Sequence, residues 1–214
     1  MTIIAQDVLD RVGNVLNDDA MARWTLAERL RWLHDGLREI AMRKPSALER
    51  TSVWTLVAGT RQSLPDDSLR LIDMPRNIAA DGTTPGYAIT PASRGELDTQ
   101  MPDWHMARAS ARIKHVLYDY ESDPLHFYVY PPAAAGTKVE ALDCLNPPVV
   151  TAAADVLPVK DHYVSALTSF VLYRALSRES EDGSGQLAAA HYSAFAGALG
   201  EVQQAAQAAQ TAGV

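Results

Sequence analysis

Apolar residues at Ile4, Val8, Leu9, Val12, Val15 and Leu16 recur at helical spacing, and Asn17-Asp18-Asp19 stops the run. The chain is therefore predicted to open with a helix from Ile4 to Leu16. Trp24-Thr25-Leu26-Ala27-Glu28 opens a second helix with a capping box: Thr25 can accept from the Glu28 backbone N–H while Glu28 reaches back to Thr25. Leu26, Leu30, Leu33, Leu37 and Ile40 then form one apolar stripe, and the helix must end before Pro45.

From Thr51 the period shortens. Val53–Val57 reads as a strand, Ala58-Gly59-Thr60 as a turn and Arg61–Leu64 as a short return. Leu69–Met74 reads as a strand ended by Pro75, Asn77–Gly86 as a turn-rich tip, Gly86–Thr90 as a short strand and Pro91–Asp98 as a helical turn. Trp104 is expected to plug back into the core. His115–Asp119, Leu125–Pro132 and Thr137–Asp143 read as two or three consecutive strands of a small antiparallel sheet. That sheet hands over, across a poorly patterned stretch from Val149 to Val159, to a helix with Asp161 as expected N-cap. Ser180–Gly185 breaks that helix, and a last one starts near Gln186. From Glu201 onward the composition collapses to alanine and glutamine, which favours helix but offers little apolar bulk.

The expected class is α+β: a helical bundle formed by the N- and C-terminal helices, with a β-rich middle lobe. The expected division is 1–50 for the first helices, 51–157 for the β-rich lobe, 158–200 for the last helices and 201–214 for the Ala/Gln-rich tail. The 214 residues, 47% of them apolar, suffice for a core of this kind. No run approaches the roughly 20 apolar residues of a membrane span. Met1–Asp7 lacks the basic region of a signal peptide, and the single cysteine, Cys144, allows no internal disulfide, so folding in a reducing cytoplasm is expected.

Net charge is −7, which disfavours general nucleic-acid binding. Residues 1–50 carry eight acids and eight bases, whereas 151–214 carry six acids and three bases, hence −3. The locally basic element is the second helix, around Arg29, Arg31, Arg38, Arg43 and Lys44. Such a gradient suits subunits meeting head to flank.

Catalytic chemistry has little foothold. His105, His115 and His126 lie near Asp103, Asp119, Glu121 and Asp123, but neither His-x-x-x-His nor His-Glu-x-x-His is present, so no metal site is expected. Cys144 has no neighbouring charge to activate it, and there is neither a Gly-x-Ser-x-Gly elbow nor a glycine-rich phosphate or dinucleotide loop, so no catalytic or cofactor-binding residue is assigned. Phe127-Tyr128-Val129-Tyr130 lacks the interleaved basic residues of a base-stacking platform and reads as core packing. Two rival readings are a small cytoplasmic metal-dependent hydrolase around His105, His115 and Asp119, and a host-side regulatory binding module.

Several phrases, taken in order, carry a resemblance. They begin with Leu16-Asn17-Asp18, Arg23-Trp24-Thr25, Glu28-Arg29-Leu30 and Pro45, followed by Leu56–Pro65 and Arg76-Asn77. Pro102–His105, Tyr118-Asp119, Pro124–Pro132, Asp161-x-Tyr163 and Leu172–Ala175 complete the set. Over about residues 3 to 200 the chain resembles the phage adaptor (head-to-tail connector) family, to which tail tubular protein A of short-tailed phages is similar. The resemblance implies a non-enzymatic virion protein at the head–tail junction, folded in the host cytoplasm. Its partners would be the portal protein and a tail or nozzle protein, in a homo-oligomeric ring matching portal symmetry, roughly twelve copies, with heterologous contacts between neighbours. Genomic DNA would pass through the channel without specific binding, and no membrane or cofactor is implied. The C-terminal segment would dock into the portal, which makes Gln203, Gln204, Gln207 and Gln210 candidate portal contacts. The basic second helix makes Arg29, Arg31 and Arg38 candidate inter-subunit residues.

Overall fold

A computed structural model describes residues 3–178 and 184–211, with the side chains of 201–211 outside the description. Two units make up the chain, one of Met1–Ala47 with Pro147–Val214 and one of Leu48–Asn146.

The first unit is helical. Helix α1 (Ala5–Leu16) buries Ala5, Val8, Leu9 and Val12, and ends where Asn17 adopts a left-handed conformation with its N–H on the Gly13 carbonyl. Helix α2 (Leu26–Arg43) starts at the capping box read from the sequence: Thr25 Oγ1 accepts from the Glu28 N–H, and Glu28 accepts from the Thr25 N–H at 3.1 Å. Its inner stripe is Leu30, Leu33, Leu37 and Ile40, while Leu26 lies outside it, 40% exposed.

The stretch from Pro147 to Leu157 belongs to this unit, not to the β-rich lobe expected to run to 157. The reason is hydrogen bonding. The first N–H groups of a helix have no partner within it. Here the carbonyls of Asp155 and Ala153 accept from Ala5 and Gln6 at 2.9 and 2.8 Å, and Leu157 donates to Ile3. A segment that supplies carbonyls to a helix start needs no periodicity of its own.

Asp161 makes no cap hydrogen bond and sits instead in a 3-10 turn, Asp161–Tyr163, ahead of α4 (Val164–Leu176). Helix α4 is apolar nearly all round, with Val164, Leu167, Phe170, Val171 and Leu172 buried, because it packs against α1, α2 and a last helix. Gly36 lets α2 approach closely: a Cβ there would stand 3.0 Å from Phe170 Cδ1. The last helix, α5 (Ser184–Thr211), packs on α4 through Ala188, Phe195 and Leu199. Phe170 and Phe195 meet edge to face, 5.0 Å between centroids.

The second unit holds eight strands: β1 (Glu49–Thr55), β2 (Gly59–Ser63), β3 (Ser68–Ile78), β4 (Pro85–Ala88), β5 (Thr90–Pro91), β6 (His115–Leu117), β7 (His126–Ala133) and β8 (Lys138–Leu145). A short helix, α3 (Arg94–Gln100), follows β5. The strands form two four-stranded sheets, ordered β1-β8-β3-β4 and β2-β7-β6-β5. They share one core: Trp54, Leu71, Met74, Val139 and Ala141 from the first meet Val116, Phe127, Val129 and Ala133 from the second. Consecutive strands therefore often separate. β1 and β2 do not form the turn-and-return pair that the sequence suggests, and β7 and β8 also go to different sheets. Strand β3 runs on through Pro75, because its register against β8 shifts between Asp73 and Arg76, where a missing N–H is tolerated.

Candidate interaction surfaces

The loop joining α1 to α2 is built on Asp18. Its carboxylate accepts from the backbone N–H groups of Ala22 (2.8 Å), Arg23 (3.2 Å) and Trp24 (3.1 Å), and from Arg29 Nη2 at 2.6 Å. Burial works to raise its pKa, but the hydrogen bonds from Trp24, Arg23, Arg29 and Ala22 outweigh it and hold the group down to about 2. Arg29 is fully buried. It also donates to the carbonyls of Asp18 (2.7 Å) and Trp24 (3.1 Å), so it ties the loop to the helix. Of the three arginines expected at a subunit contact, Arg29 thus has an internal role.

Arg31 and Arg38 are placed differently. Both are exposed and make no ion pair or hydrogen bond among the described residues. The other charges of this helix are mostly engaged: Arg43 with Glu39 (2.7 Å) and Tyr192 (2.5 Å), Asp35 with Arg174 (3.4 Å), and Glu28 with Arg178 (2.6 Å). The same face carries Met42, 73% exposed, and the half-buried His34. A cleft of about 280 Å³ opens beside it, lined by Leu30, Arg31, His34, Val149 and Val150.

On α1, a second cleft of about 300 Å³ is lined by Gln6, Asp10, Gly13, Asn14, Asp19 and, at one wall, Arg29. Asp10 and Asp19 are exposed and have no cationic partner among the described residues; Asp10 accepts only from Gln6. Gly13 keeps this corner narrow, since a Cβ there would lie 2.9 Å from Asp19 Oδ1 and 3.4 Å from Arg29 Nη1. Gln203, Gln204, Gln207 and Gln210 fall on the last turns of α5, where side chains lie outside the description.

In the β unit the histidines are used singly. Nδ1 of His105 shares a hydrogen bond with Thr60 Oγ1, and that of His115 with Thr90 Oγ1, each at 2.8 Å. His126 pairs with Asp123 at 2.8 Å, while Asp119 closes its own turn by accepting from Ser122 and the Glu121 N–H. Among the described residues no three His, Cys, Asp or Glu side chains are grouped closely enough to hold a metal ion. A cleft of about 400 Å³ collects Arg94, Asp119, Asp123, His126 and Tyr128, without His105 or His115. Cys144 is fully buried, and burial pushes its thiol up to about 11, against activation as a nucleophile. Trp104 is fully buried as expected, with its indole N–H on Asp98 at 2.7 Å. Phe127 faces the core while Tyr128 and Tyr130 stay half-buried.

Sequence reading missed two ionic anchors. Asp18 looked like a helix stop, although an acid just before an Arg-Trp-Thr cap is also what would organise such a loop. Arg50 bridges buried Asp143 (2.8 Å) and Asp67 (2.5 Å) in the β unit, and nothing local in the sequence signals a pairing across 93 residues.

The family model described as SU10 adaptor protein matches residues 3–214. The match covers nearly the whole chain and both units, and the chain belongs to that family. No curated protein matches it significantly.

Proposed function

Starting from membership of the SU10 adaptor protein family, we propose that the chain is a phage structural adaptor without enzymatic activity. It is a virion protein whose copies form a ring joining the portal to the tail and extending the DNA channel. The observation that carries this reading is the extent of the family match, which takes in the helical and the β unit alike. The likeness to tail tubular protein A, read from phrases such as Pro124–Pro132, is part of the same proposal.

Three features support the finer roles. A ring needs two different complementary surfaces on each copy, and the exposed, unengaged Arg31 and Arg38 on α2 suit one of them. The net charge of −7 suits a channel through which a polyanion slides without sticking. The Ala/Gln-rich end of α5 suits docking in a groove of the portal, with Gln203, Gln204, Gln207 and Gln210 as contacts and a tail or nozzle protein bound on the other side of the ring.

Quantitative mass spectrometry of washed virions, scaled to the portal protein, tests this reading. A copy number matching the portal ring is expected. Absence of the chain from washed particles overturns it.

A further inference from the structure

The helical unit carries unpaired charge of opposite sign on two different flanks, and helix geometry fixes their relation. At about 100° per residue, Arg31 and Arg38 lie about 180–200° round α2 from Arg29. Arg29 forms one wall of the α1 cleft that holds Asp10 and Asp19. The Arg31/Arg38 face and the Asp10/Asp19 cleft therefore stand on opposite sides of α2, within one unit. Asp18 neutralises Arg29 at 2.6 Å, so Asp10 and Asp19 set the sign of the cleft. Neither pair of charges has an ionic partner among the described residues, whereas Glu28, Asp35, Glu39 and Arg43 of α2 are all paired.

We infer that Asp10 on α1 and Asp19 in the loop that follows it, in one copy, receive Arg31 and Arg38 on α2 of the next copy. The occupant of each flank is a second copy of this chain, and the contact is heterologous: acid flank to base flank. Such a contact leaves an unused acid flank at one end of any pair and an unused base flank at the other. Repetition closes into a ring when the rotation between copies divides a full turn, which the ring reading above requires. Met42, exposed on the base flank, adds apolar surface to the contact. This inference rests on the ring reading above and supplies the residues of its subunit boundary.

The test exploits the difference between a heterologous and a self-complementary contact. Three variants of the full chain are made: R31E/R38E, with two acid flanks; D10R/D19R, with two base flanks; and the quadruple D10R/D19R/R31E/R38E, with the flanks exchanged. Each is supplied in trans during assembly of particles lacking their own adaptor, and copies per portal are counted by mass spectrometry. Like-charge contacts are strongly unfavourable, so each double variant alone is expected to fall at least about tenfold below wild type. The quadruple variant is expected to recover, as is an equal mixture of the two doubles, which can alternate round a ring. Thermal melts of the purified variants keep misfolding apart from lost contact. Incorporation of both doubles at the wild-type level overturns the pairing and leaves the adaptor reading intact. Folded doubles that are lost but rescued neither by exchange nor by mixing overturn it as well. Absence of the wild-type chain from particles overturns the ring reading itself, and the subunit pairing falls with it.

Discussion

Replacing Arg29 by methionine isolates the contribution of the ion pair that ties the α1–α2 loop to the bundle. The substitution keeps an unbranched apolar stem in a fully buried position, so packing changes little. It removes three donated hydrogen bonds: two to Asp18, at 2.6 and 2.7 Å, and one to the Trp24 carbonyl at 3.1 Å. Breaking one half of a buried pair costs about 3–5 kcal/mol. The Asp18 carboxylate keeps its three backbone N–H donors, so it is not left uncompensated, and the lower end, about 3 kcal/mol, is expected. With a urea dependence of about 2 kcal/mol/M, the unfolding midpoint falls by about 1.5 M. Far-UV circular dichroism is the appropriate signal, because among the described residues every α-helix except the short α3 lies in this unit. R31M is the control: an exposed arginine with no partner among the described residues should shift the midpoint by less than about 0.3 M. Equal small shifts for R29M and R31M would refute the assignment of Arg29 as an anchor.

Asp18 also fixes an acid dependence. Its folded pKa, about 2, lies below the ordinary 3.8, so its contribution is complete above about pH 4 and is lost as pH falls toward 2. A stability scan from pH 5 to 2 should fall more steeply for wild type than for D18N. G36A should be destabilising despite the roughly 1 kcal/mol that alanine gains over glycine in a helix, because the added Cβ meets Phe170 at 3.0 Å and Leu167 at 3.3 Å; in an F170L background the penalty shrinks, as a double-mutant cycle by urea titration would measure. Cys144, fully buried with its thiol pushed up to about 11, should resist a disulfide reagent at pH 8 in the native protein and react fully in denaturant.

The parts of the fold legible in the sequence are those decided locally. Helices α1 and α2 could be read because their apolar spacing, the Thr25–Glu28 box and Pro45 all act within a few residues. The α+β class followed from the change of period at Thr51. Pairing partners did not follow, because they are set by distant residues: β8 inserts between β1 and β3 only in the assembled unit. Pro75 looked like a strand end since its missing N–H is visible in sequence, whereas the register shift that accommodates it is not. Arg29 was picked out correctly as part of a basic helix and still given a surface role. Charge composition cannot distinguish an arginine facing Asp18 from one facing solvent two residues later, but helix geometry can.

The Ala/Gln-rich segment poses a physical question that the continuity of α5 answers in part. A free peptide of this composition and length is too short to hold a helix in water, because nucleation is unfavourable. Here residues 201–211 prolong a helix already held to α4 by Ala188, Phe195 and Leu199. Nucleation has occurred upstream, and each further residue needs only propagation, which alanine favours. The extension is eleven residues, about 16 Å of helix, so a docking partner would meet a preformed rod and less ordering entropy would oppose binding. Deleting 201–214 should therefore leave the melting temperature of the monomer nearly unchanged, because the packed anchors remain, while docking to the purified portal weakens by at least about tenfold. A proline at Ala206 separates two explanations of that loss: it interrupts the helix while retaining every glutamine. Weak docking by A206P would assign the effect to the rod. Equal docking by the truncated chain would remove the segment from the mechanism and direct the search for the portal contact to the packed part of the bundle.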